Sequence, residues 1–340
     1  MRDYFLRRFL LIIPTMIGLT LLVFAITRFV PGGPMERAVM QFRMASSEGG
    51  SSGGPGAGSS TLSEDQLNQL KAFYGFDKPW PLAYADWLGK VCMGDLGTST
   101  RYMEPVSDLI AERLPVSTYF GLMTFLLSYG ICIPLGVLKA LRHQRPVDTW
   151  SSVFIFAGYA IPSFALGALL VVFLAARWQW FPVSGFVSDE FDDLSLIGKA
   201  VDILHHTALP LVCYMIGSFA FLTMMKKNSL LDNLAADYIR TAVAKGCDFG
   251  QAVRRHALRN SFIPIATSLG HNLTLFIAGS FLIESIFDID GFGLLGYQSL
   301  LDRDYPVVMG QLVIVGLLTL VGNILSDFLV AMTDPRVRFE

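Results

Sequence analysis

Charged side chains are scarce in this chain of 340 residues. They make up 16% of the residues, whereas hydrophobic residues make up 53%, and such a composition is typical of a protein that lies in lipid. The formal net charge is only -2, so the chain lacks the excess of basic residues that nucleic-acid binding requires. We therefore expect a membrane protein without a nucleic-acid partner.

The chain also lacks motifs for metal binding, nucleotide binding and hydrolysis. It has no G-x-x-x-x-G-K-[ST] loop, so it cannot by itself cradle a nucleotide. His205 and His206 do not form an H-E-x-x-H motif. The G-x-S-x-G spacing occurs only inside the Gly/Ser stretch 45–60, which offers no elbow to organise a nucleophile, and this disfavours an intramembrane hydrolase. The cysteines form no CxxC pair and have no histidine at ligand spacing, so we expect free thiols and no metal site. They are Cys92, Cys132, Cys213 and Cys247.

Long apolar runs are abundant instead. A hydrocarbon core about 30 Å thick requires roughly 20 apolar residues per helix, because only a helix satisfies its own backbone groups in lipid. Six runs meet this requirement, so we predict an all-α membrane protein with six transmembrane helices. The first run could instead be a cleaved signal, but it exceeds an h-region of about 7 to 15 residues and no A-x-A site follows it. The runs are Phe9–Val30, Ser117–Leu141, Trp150–Ala176, Thr207–Met225, Phe262–Ile283 and Val307–Met332.

Lysine and arginine are distributed unevenly between the loops. The amino terminus, the loops after the second and fourth runs and the carboxy-terminal tail are basic, whereas the opposite short loops contain only Arg177, Lys199 and Arg303 among many carboxylates. Because positive charge is retained in the cytoplasm, both termini are predicted to be cytoplasmic. The predicted parts are a terminus with the first helix (1–30), an external region (31–116), a transport domain (117–332) that contains a cytoplasmic loop (226–261), and a cytoplasmic tail (333–340).

The external region changes composition at about Ser60. Residues 45–60 are dominated by Gly and Ser and are predicted to form a spacer, because they cannot bury enough apolar surface to offset their ordering entropy. Ser63 and Gln66 then fit a capping box that opens a short helix. The aromatic and apolar residues that follow are typical either of a membrane interface or of a surface that docks an external partner. They are Trp80, Tyr84, Trp87 and Leu88.

The cytoplasmic loop contains two stretches with helical periodicity, between Tyr238 and Pro264. Gly246 separates them at a position that suits a left-handed residue after Lys245. Asp248, followed by Gln251 three residues later, is a start signal for the second helix. The predicted apolar faces are Ala235, Tyr238, Ile239, Ala242 and Val243 in the first helix, and Phe249, Ala252, Val253 and Ala257 in the second.

This helical hairpin permits two interpretations. Two amphipathic helices that run into a membrane span could transmit force from a cytosolic partner docked on their turn. Basic residues opposite an apolar face are also typical of a helix that lies on anionic lipid. The pattern alone leaves both open.

The residue order of the hairpin carries a resemblance to a known family. Residues 238–246 read YIRTAVAKG and residues 255–264 read RHALRNSFIP, which resembles the coupling loop of binding-protein-dependent ABC importers of the dipeptide and oligopeptide type. The general pattern begins Glu-Ala-Ala, whereas Thr241 and Ala242 occupy that region here, as in the peptide branch. The Gly/Ser insert is similar to Yej-type peptide and microcin C permeases. Further matching stretches are PGGP (31–34), YGFD (74–77), GDLGTS (94–99), RLP (113–115), ESIF (284–287), GFG (291–293), RDYPV (303–307) and DPRV (334–337).

The resemblance implies a permease subunit of an ATP-driven importer that moves peptides or peptide-like solutes across a bacterial inner membrane. Its implied partners are a second homologous permease, two cytosolic ATPase domains, a periplasmic solute-binding protein and membrane lipid. ATP and Mg²⁺ would be bound by the ATPase partners and no cofactor by this chain, which is then not an enzyme. Nickel and glutathione are alternative cargoes, because related permeases move them.

The same resemblance implies two sets of functional residues. The implied ATPase-coupling residues are Tyr238, Arg240, Thr241, Ala242, Ala244, Lys245, Gly246 and Asp248. The implied external gate consists of Glu284, Asp288, Gly291 and Gly293.

Polar residues in the fifth run are candidates for a solute pathway, because polar groups at membrane depth are costly in lipid. Ser268, His271 and Asn272 could line a wet cavity or form hydrogen bonds between helices. Asn323 and Asp327 in the sixth run present the same choice. A secondary transporter driven by an ion gradient is disfavoured, because the chain shows no internal repeat and only His271 is an ionisable residue deep in a run.

Overall fold

The computed structural model describes residues 2–29, 40 and 78–333. The predicted spacer at 45–60, the capping box at Ser63 and the tail from residue 334 lie outside these residues. The described part of the chain is mostly helical, and its β-structure is confined to an isolated bridge between Thr98 and Pro105. The prediction of a helical membrane fold is confirmed at this level.

The described helices follow one another with short connections. A π-helical stretch, Val171–Arg177, extends α5, a second one, Val253–Ala257, joins α8 to α9, and a 3-10 turn occupies Phe191–Asp193. The α-helices are α1 (Arg2–Phe29), α2 (Trp80–Cys92), α3 (Val106–Leu141), α4 (Pro146–Ala160), α5 (Ser163–Leu170), α6 (Leu196–Ala235), α7 (Asp237–Ala244), α8 (Phe249–Ala252), α9 (Leu258–Asn260), α10 (Ile263–Ile277), α11 (Phe281–Ile286), α12 (Phe292–Leu301) and α13 (Tyr305–Thr333).

The described residues form two compact units. The first contains 2–11, 112–295 and 317–333, and the second contains 12–29, 78–111 and 296–316. The hairpin of the cytoplasmic loop and the candidate pathway residues belong to the first unit.

Within the described residues, four helices are long and apolar enough to cross a membrane, and they correspond to the first, second, fourth and sixth predicted spans. They are Leu6–Arg28 within α1, the whole of α3, the whole of α6, and Tyr305–Met332 within α13. A fifth crossing results if α4 and the helix that starts with α5 form one bent span.

The third predicted span, Trp150–Ala176, is wrong as a straight helix. α4 ends at Ala160, and the following helix leaves at 91° to it. Pro162 causes this break, because it has no N–H to donate and disfavours the helical conformation in the residue before it. Ile161 accordingly has extended angles, with φ -90° and ψ 123°. The apolar run continues through the break, so hydropathy alone does not reveal it.

The fifth predicted span, Phe262–Ile283, is divided as well. α10 has 15 residues and ends at Ile277, which is shorter than the roughly 20 residues that a crossing helix needs. Gly279 follows with φ +78°, and α11 begins at Phe281. Polar backbone at membrane depth requires partners, which Glu284 supplies as described below.

Two helices, α3 and α6, extend furthest beyond their predicted spans. α3 begins at Val106 instead of Ser117 and contains Pro115, which the sequence assigned to the external region. α6 begins after Ser195, whose hydroxyl accepts a hydrogen bond from the Gly198 amide at 3.2 Å, and continues to Ala235. The predicted cytoplasmic loop therefore begins inside α6. Hydropathy indicates which part of a helix lies in lipid and does not indicate where the helix ends.

The core of the first unit joins α3, α6 and α11. Phe120 and Tyr214 stack with ring centroids 5.5 Å apart, and they are buried together with Leu209, Ile283 and Phe287. All four cysteines are free thiols, as predicted; two of them, Cys132 and Cys213, are buried.

The second unit is held together by a buried carboxylate, Asp304. It accepts hydrogen bonds from the Ser99 hydroxyl, from the Thr100 amide at 3.1 Å and from the Arg101 amide at 3.3 Å. These contacts join the motifs GDLGTS and RDYPV, which are far apart in sequence. In the same unit, Tyr84 of α2 donates to the Ile17 carbonyl of α1 at 3.1 Å, whereas Trp80 is 47% exposed.

Candidate functional site

The first helix of the hairpin, α7, packs through a narrow apolar face. Ile239 is 3% exposed and lies in a cluster with Ala140 of α3 and Leu230 of α6. Ala242 packs against the same cluster. The prediction that Tyr238 and Val243 share this face is wrong, since they are 39% and 43% exposed. An eight-residue helix that rests along one line on α3 and α6 can bury only a single row of side chains.

The opposite face of α7 is open to solvent and contains four of the eight predicted coupling residues; three more follow in the turn after α7. Arg240 forms an exposed ion pair with Asp237 at 3.7 Å, which contributes little to stability at such a position. Tyr238 donates a hydrogen bond to the Asn233 side chain. Except for the half-buried Ala242, the predicted set is exposed; the exposed members are Tyr238, Arg240, Thr241, Ala244, Lys245, Gly246 and Asp248.

Gly246 ends α7 in the predicted left-handed conformation, with φ +89°. Its amide donates to the Val243 carbonyl at 2.9 Å, and the Cys247 amide donates to the Ala242 carbonyl at 3.1 Å. This pair of bonds is the Schellman arrangement, which satisfies the last carbonyls of a helix. A Cβ atom at Gly246 would meet no atom within 4 Å. The glycine is therefore required by its backbone conformation and not by crowding.

Asp248 starts the second helix, as predicted. Its carboxylate accepts a hydrogen bond from the Gly250 amide at 3.0 Å, which identifies Asp248 as the N-cap of α8. Gln251 does not complete a capping box with it; the Gln251 side chain instead accepts a weak hydrogen bond from the Cys247 thiol at 3.6 Å.

The second helix buries three of its four predicted apolar residues. Ala252, Val253 and Ala257 are buried, and the residues from 254 to 256 on the other side are exposed. Phe249 departs from the prediction, because it is 56% exposed in the first turn of α8 beside the Gly246 turn. The tip of the hairpin thus presents an exposed aromatic ring together with small and basic side chains.

Two neighbouring lysines of α6 anchor the base of the hairpin. Lys226 is fully buried, donates to the Ser261 hydroxyl at 2.7 Å and places its ammonium 3.8 Å from the centre of the Phe262 ring. Lys227 donates to both carboxylate oxygens of Asp148 in α4 at 2.8 Å. The end of the hairpin and the start of α4 are therefore both fastened to α6.

Lys139 completes this buried network from α3. Its ammonium is 3.0 Å from the Asp148 carboxylate and donates to the Ser151 and Ser152 hydroxyls at 2.8 and 2.7 Å. In the sequence, these lysines indicate a cytoplasmic loop, but their partners are not predicted. The signal that could have identified the network is Asp148, the one acid that follows the basic residues after the second apolar run.

The candidate pathway residues lie on α10, and the side chain of His271 is outside the described part of the structure. Asn272 donates to the Tyr129 hydroxyl of α3 at 2.9 Å, and the Ser268 hydroxyl donates to the Ile265 carbonyl of its own helix at 3.0 Å. Of the two alternatives for Asn272, this geometry favours a hydrogen bond between helices. In the sixth run, Asp327 accepts a hydrogen bond from Tyr4 at 3.0 Å.

Three of the four predicted gate residues meet at one buried carboxylate. Glu284 is 1% exposed and accepts hydrogen bonds from the Tyr214 hydroxyl at 3.1 Å, from the Ser280 amide at 3.1 Å and from the Leu294 amide at 2.6 Å. The Gly293 amide is a further donor.

Glycines around Glu284 permit this close approach of the backbone. A Cβ at Gly291 would lie 2.6 Å from the Glu284 carboxyl carbon, and one at Gly293 would lie 3.1 Å from a carboxylate oxygen. The fourth predicted gate residue, Asp288, is exposed in the turn after α11 with φ +50°. The ESIF and GFG motifs therefore form one buried junction, with Asp288 outside it.

Comparison with known proteins identifies related chains. Residues 132–339 match the family described as "Binding-protein-dependent transport system inner membrane component". The chain is 38% identical over 360 aligned residues to the peptidoglycan transport system permease protein YejB of Agrobacterium fabrum, covering 100% of this chain and 99% of the relative. It is 35% identical to the oligopeptide transport system permease protein AppB of Bacillus subtilis, with 100% of both chains covered. It is 32% identical to the dipeptide transport system permease protein DppB of Escherichia coli K12, again with 100% of both covered.

Proposed function

This chain belongs to the family of binding-protein-dependent transport system inner membrane components, and we propose from this membership that it is the permease subunit of an ATP-driven importer of peptides. It acts in the bacterial inner membrane and moves peptides or peptide-like solutes into the cell. The three relatives are named for peptidoglycan, oligopeptide and dipeptide transport. A peptide linkage is the chemical feature that these solutes share, which disfavours nickel as cargo. Dipeptides and longer peptides in general are also favoured over the single tripeptide glutathione, because none of the three relatives is named for glutathione.

The permease works with other subunits in this proposal. Two cytosolic ATPase domains bind ATP and Mg²⁺, a periplasmic binding protein delivers the solute, and a second homologous permease completes the pathway. The chain crosses the membrane six times, with the bent α4–α5 helix and α10 with α11 as the third and fifth crossings. Both termini are cytoplasmic, which the basic loops support.

The observation that carries the proposal is the position of the apolar face of the hairpin. Ile239 is buried against α3 and α6, so this face is not available to enter lipid, as a helix on the membrane surface would require. The exposed face contains Thr241 and Ala244, whose small side chains allow a partner to approach the backbone closely. Docking of an ATPase at the tip accounts for this exposed face, and the lysine anchors give the hairpin a rigid connection to α4 and α6.

The remaining predicted sites are assigned to the solute pathway and to the external gate. Ser268 and His271 are proposed to face the solute pathway on α10, whereas Asn272, which donates to Tyr129, is proposed to join α10 to α3. Glu284, Gly291 and Gly293 are proposed to shape the external gate by fixing the turn between α11 and α12, with Asp288 at its exposed edge.

Peptide-stimulated ATP hydrolysis tests the proposed function. The chain is reconstituted in liposomes with its second permease and ATPase subunits, and the binding protein is added with dipeptides, longer peptides, nickel or glutathione. We expect peptides to stimulate hydrolysis and to accumulate on the cytoplasmic side. Stimulation by nickel or glutathione alone would refute the peptide assignment, and failure of the ATPases to bind the chain would refute the permease assignment.

A further inference from the structure

A groove of about 680 Å³ runs along one side of α6 toward the hairpin, between α4 and the first residues of α10. We refer to it as the cytoplasmic groove. Phe156 and Tyr159 of α4 form one wall, and Phe221, Met224 and Met225 of α6 form the other. All of these residues belong to the first unit.

The lining of the groove changes from apolar to polar along α6. Phe221, Met225, Asn228 and Asp232 line it at intervals of three to four residues, so they form one stripe on the helix. The predicted fourth span ends at Met225, which places Asn228 and Asp232 beyond the lipid core at the cytoplasmic end. The groove thus has an apolar interior and a polar mouth.

The mouth carries negative charge in a basic environment. Asp232 is the only charged side chain among the described residues that line the groove, and it is exposed. The ion pairs among the described residues do not include it. The hairpin nearby is rich in Lys and Arg. A lone carboxylate attracts cationic groups and repels the anionic headgroups of the cytoplasmic leaflet.

A second groove on α4 provides a contrast. It has a volume of about 430 Å³ and is lined by Leu135, Phe154, Ile155, Val212 and other apolar residues, with Ser151 as its one hydroxyl side chain. Its lining suits lipid chains, because one hydroxyl cannot replace the water around a polar solute. Phe154 and Phe156 therefore lie on the same helix, two residues apart, but face grooves of different chemistry.

We propose that the cytoplasmic groove is the inner part of the solute pathway and that Asp232 receives the free amino group of the transported peptide. This assignment rests on the proposed function. The methionines and aromatic rings supply a deformable apolar surface that accepts different side chains, while Asn228 and Ser229 offer hydrogen-bonding groups to the peptide backbone. All peptides with a free amino terminus carry an ammonium group, and the Asp232 carboxylate can form a charge-assisted hydrogen bond with it.

Cysteine accessibility in the assembled complex tests the location of the groove. The four native cysteines are replaced, and a single cysteine is introduced by Phe156→Cys or, as the matched control, by Phe154→Cys. Membrane-impermeant thiol reagents are applied from the cytoplasmic side of inside-out vesicles. We expect the cysteine at 156 to react at least about tenfold faster than the one at 154, because the reactive thiolate requires water. Tyr159→Cys, which lines the same groove, is expected to repeat the result.

The role of Asp232 is tested with the same vesicles. A cationic reagent should react faster than an anionic one at position 156, and Asp232→Asn should reduce this preference by about fivefold, since it removes one unit charge near the groove. A tripeptide with a free amino terminus should slow labelling, whereas its N-acetylated form should not. In the Asp232→Asn protein the two peptides should protect equally.

Equal labelling rates at positions 154 and 156 would overturn the assignment of the groove. Failure of both peptides to slow labelling would overturn it as well. Unreactivity at both 156 and 159 would show that lipid or the second permease covers it, which also contradicts the proposal. Peptide-stimulated ATP hydrolysis is measured on the same preparations. If peptides stimulate ATP hydrolysis but the expected labelling pattern is not observed, only the groove assignment fails. If peptides do not stimulate ATP hydrolysis, the proposed peptide function fails.

Discussion

The hairpin turn at Gly246 and the junction around Glu284 both depend on glycine, but for opposite reasons. Gly246 lies in open space and is needed for its left-handed backbone. Gly291 lies against a buried carboxylate, and its lack of a side chain is what the packing requires. The first turn is exposed and leaves a face for a partner, whereas the second directs its polar groups inward. This difference teaches that a motif glycine can indicate either a surface turn or a tightly packed junction.

The substitution Glu284→Ala is the strongest test of the buried junction around Glu284. This change leaves the Tyr214 hydroxyl and the Gly293 and Leu294 amides without their acceptor, whereas the Ser280 amide still donates to the Tyr214 hydroxyl. Each buried unpaired group costs about 1–3 kcal/mol. We expect the protein to lose most of its folded yield after extraction in detergent, measured by size-exclusion chromatography and thermal unfolding.

Ser285→Ala is the matched control, because Ser285 is exposed on the same helix. It should leave the yield unchanged. If Glu284→Ala melts at the same temperature as Ser285→Ala, the carboxylate does not hold the junction, and the contrast with the hairpin is lost.

Gly291→Ala should have the next largest effect on stability. The added methyl group would lie 2.6 Å from the Glu284 carboxyl carbon, and overpacking of this kind costs about 1–3 kcal/mol. The unfolding midpoint of the purified protein should fall. Gly217→Ala in α6 is the control, because a Cβ there meets no atom within 4 Å. That change should be neutral or stabilise by about 0.5–1 kcal/mol, and a similar loss in both variants would contradict the crowding argument.

Gly246→Val should affect stability less but abolish coupling. The left-handed conformation costs a residue with a Cβ about 1–2 kcal/mol, and this strain can be relieved by movement of the exposed turn. We expect normal insertion and at least about a tenfold loss of peptide-stimulated ATP hydrolysis, since 1.4 kcal/mol lost from docking is a tenfold change.

Gly246→Asn distinguishes conformation from the mere presence of a side chain. Asparagine tolerates the left-handed region, so this variant should retain most of the stimulated hydrolysis. Unchanged coupling in Gly246→Val would remove the hairpin from the mechanism, and equal loss in both variants would show that contact, not backbone shape, makes glycine necessary.

Local signals predict the hairpin better than they predict the junction. The Gly246 turn and the Asp248 cap are specified by neighbouring residues, and the structure confirms both. Tyr238 and Phe249 were assigned to the wrong face, because periodicity locates an apolar stripe but not the width of the surface that receives it. That width is set by α3 and α6, which are distant in sequence.

The junction and the lysine network depend on contacts that a single sequence does not display. From the sequence alone, Glu284 is interpreted as an acid in an external loop. Its burial becomes evident only from its hydrogen bond with Tyr214, which is 70 residues away in sequence. Lys227 is likewise interpreted from the sequence as a charge in a loop, although in the structure it pairs with Asp148, which is 79 residues away in sequence. The bend at Pro162 differs from these contacts, because its signal is local: the proline is present in the sequence of the third run. The continuous hydropathy of that run nevertheless predicts one straight span.

Deletion of residues 49–58 should have the smallest effect and extends the comparison to a third use of glycine. These residues lie outside the described part of the chain, and their Gly/Ser composition predicts a spacer in which glycine provides flexibility. Loop-closure free energy changes by only about 0.6 kcal/mol for a doubling of length, so peptide uptake by the complete transporter should change less than about threefold. Deletion of the equally long stretch 80–89 in α2, which contains Tyr84 bonded to α1, should abolish uptake. Complete loss of uptake with the first deletion would mean that the glycine-rich stretch docks a partner, as the hairpin is proposed to do, and does not act as a spacer.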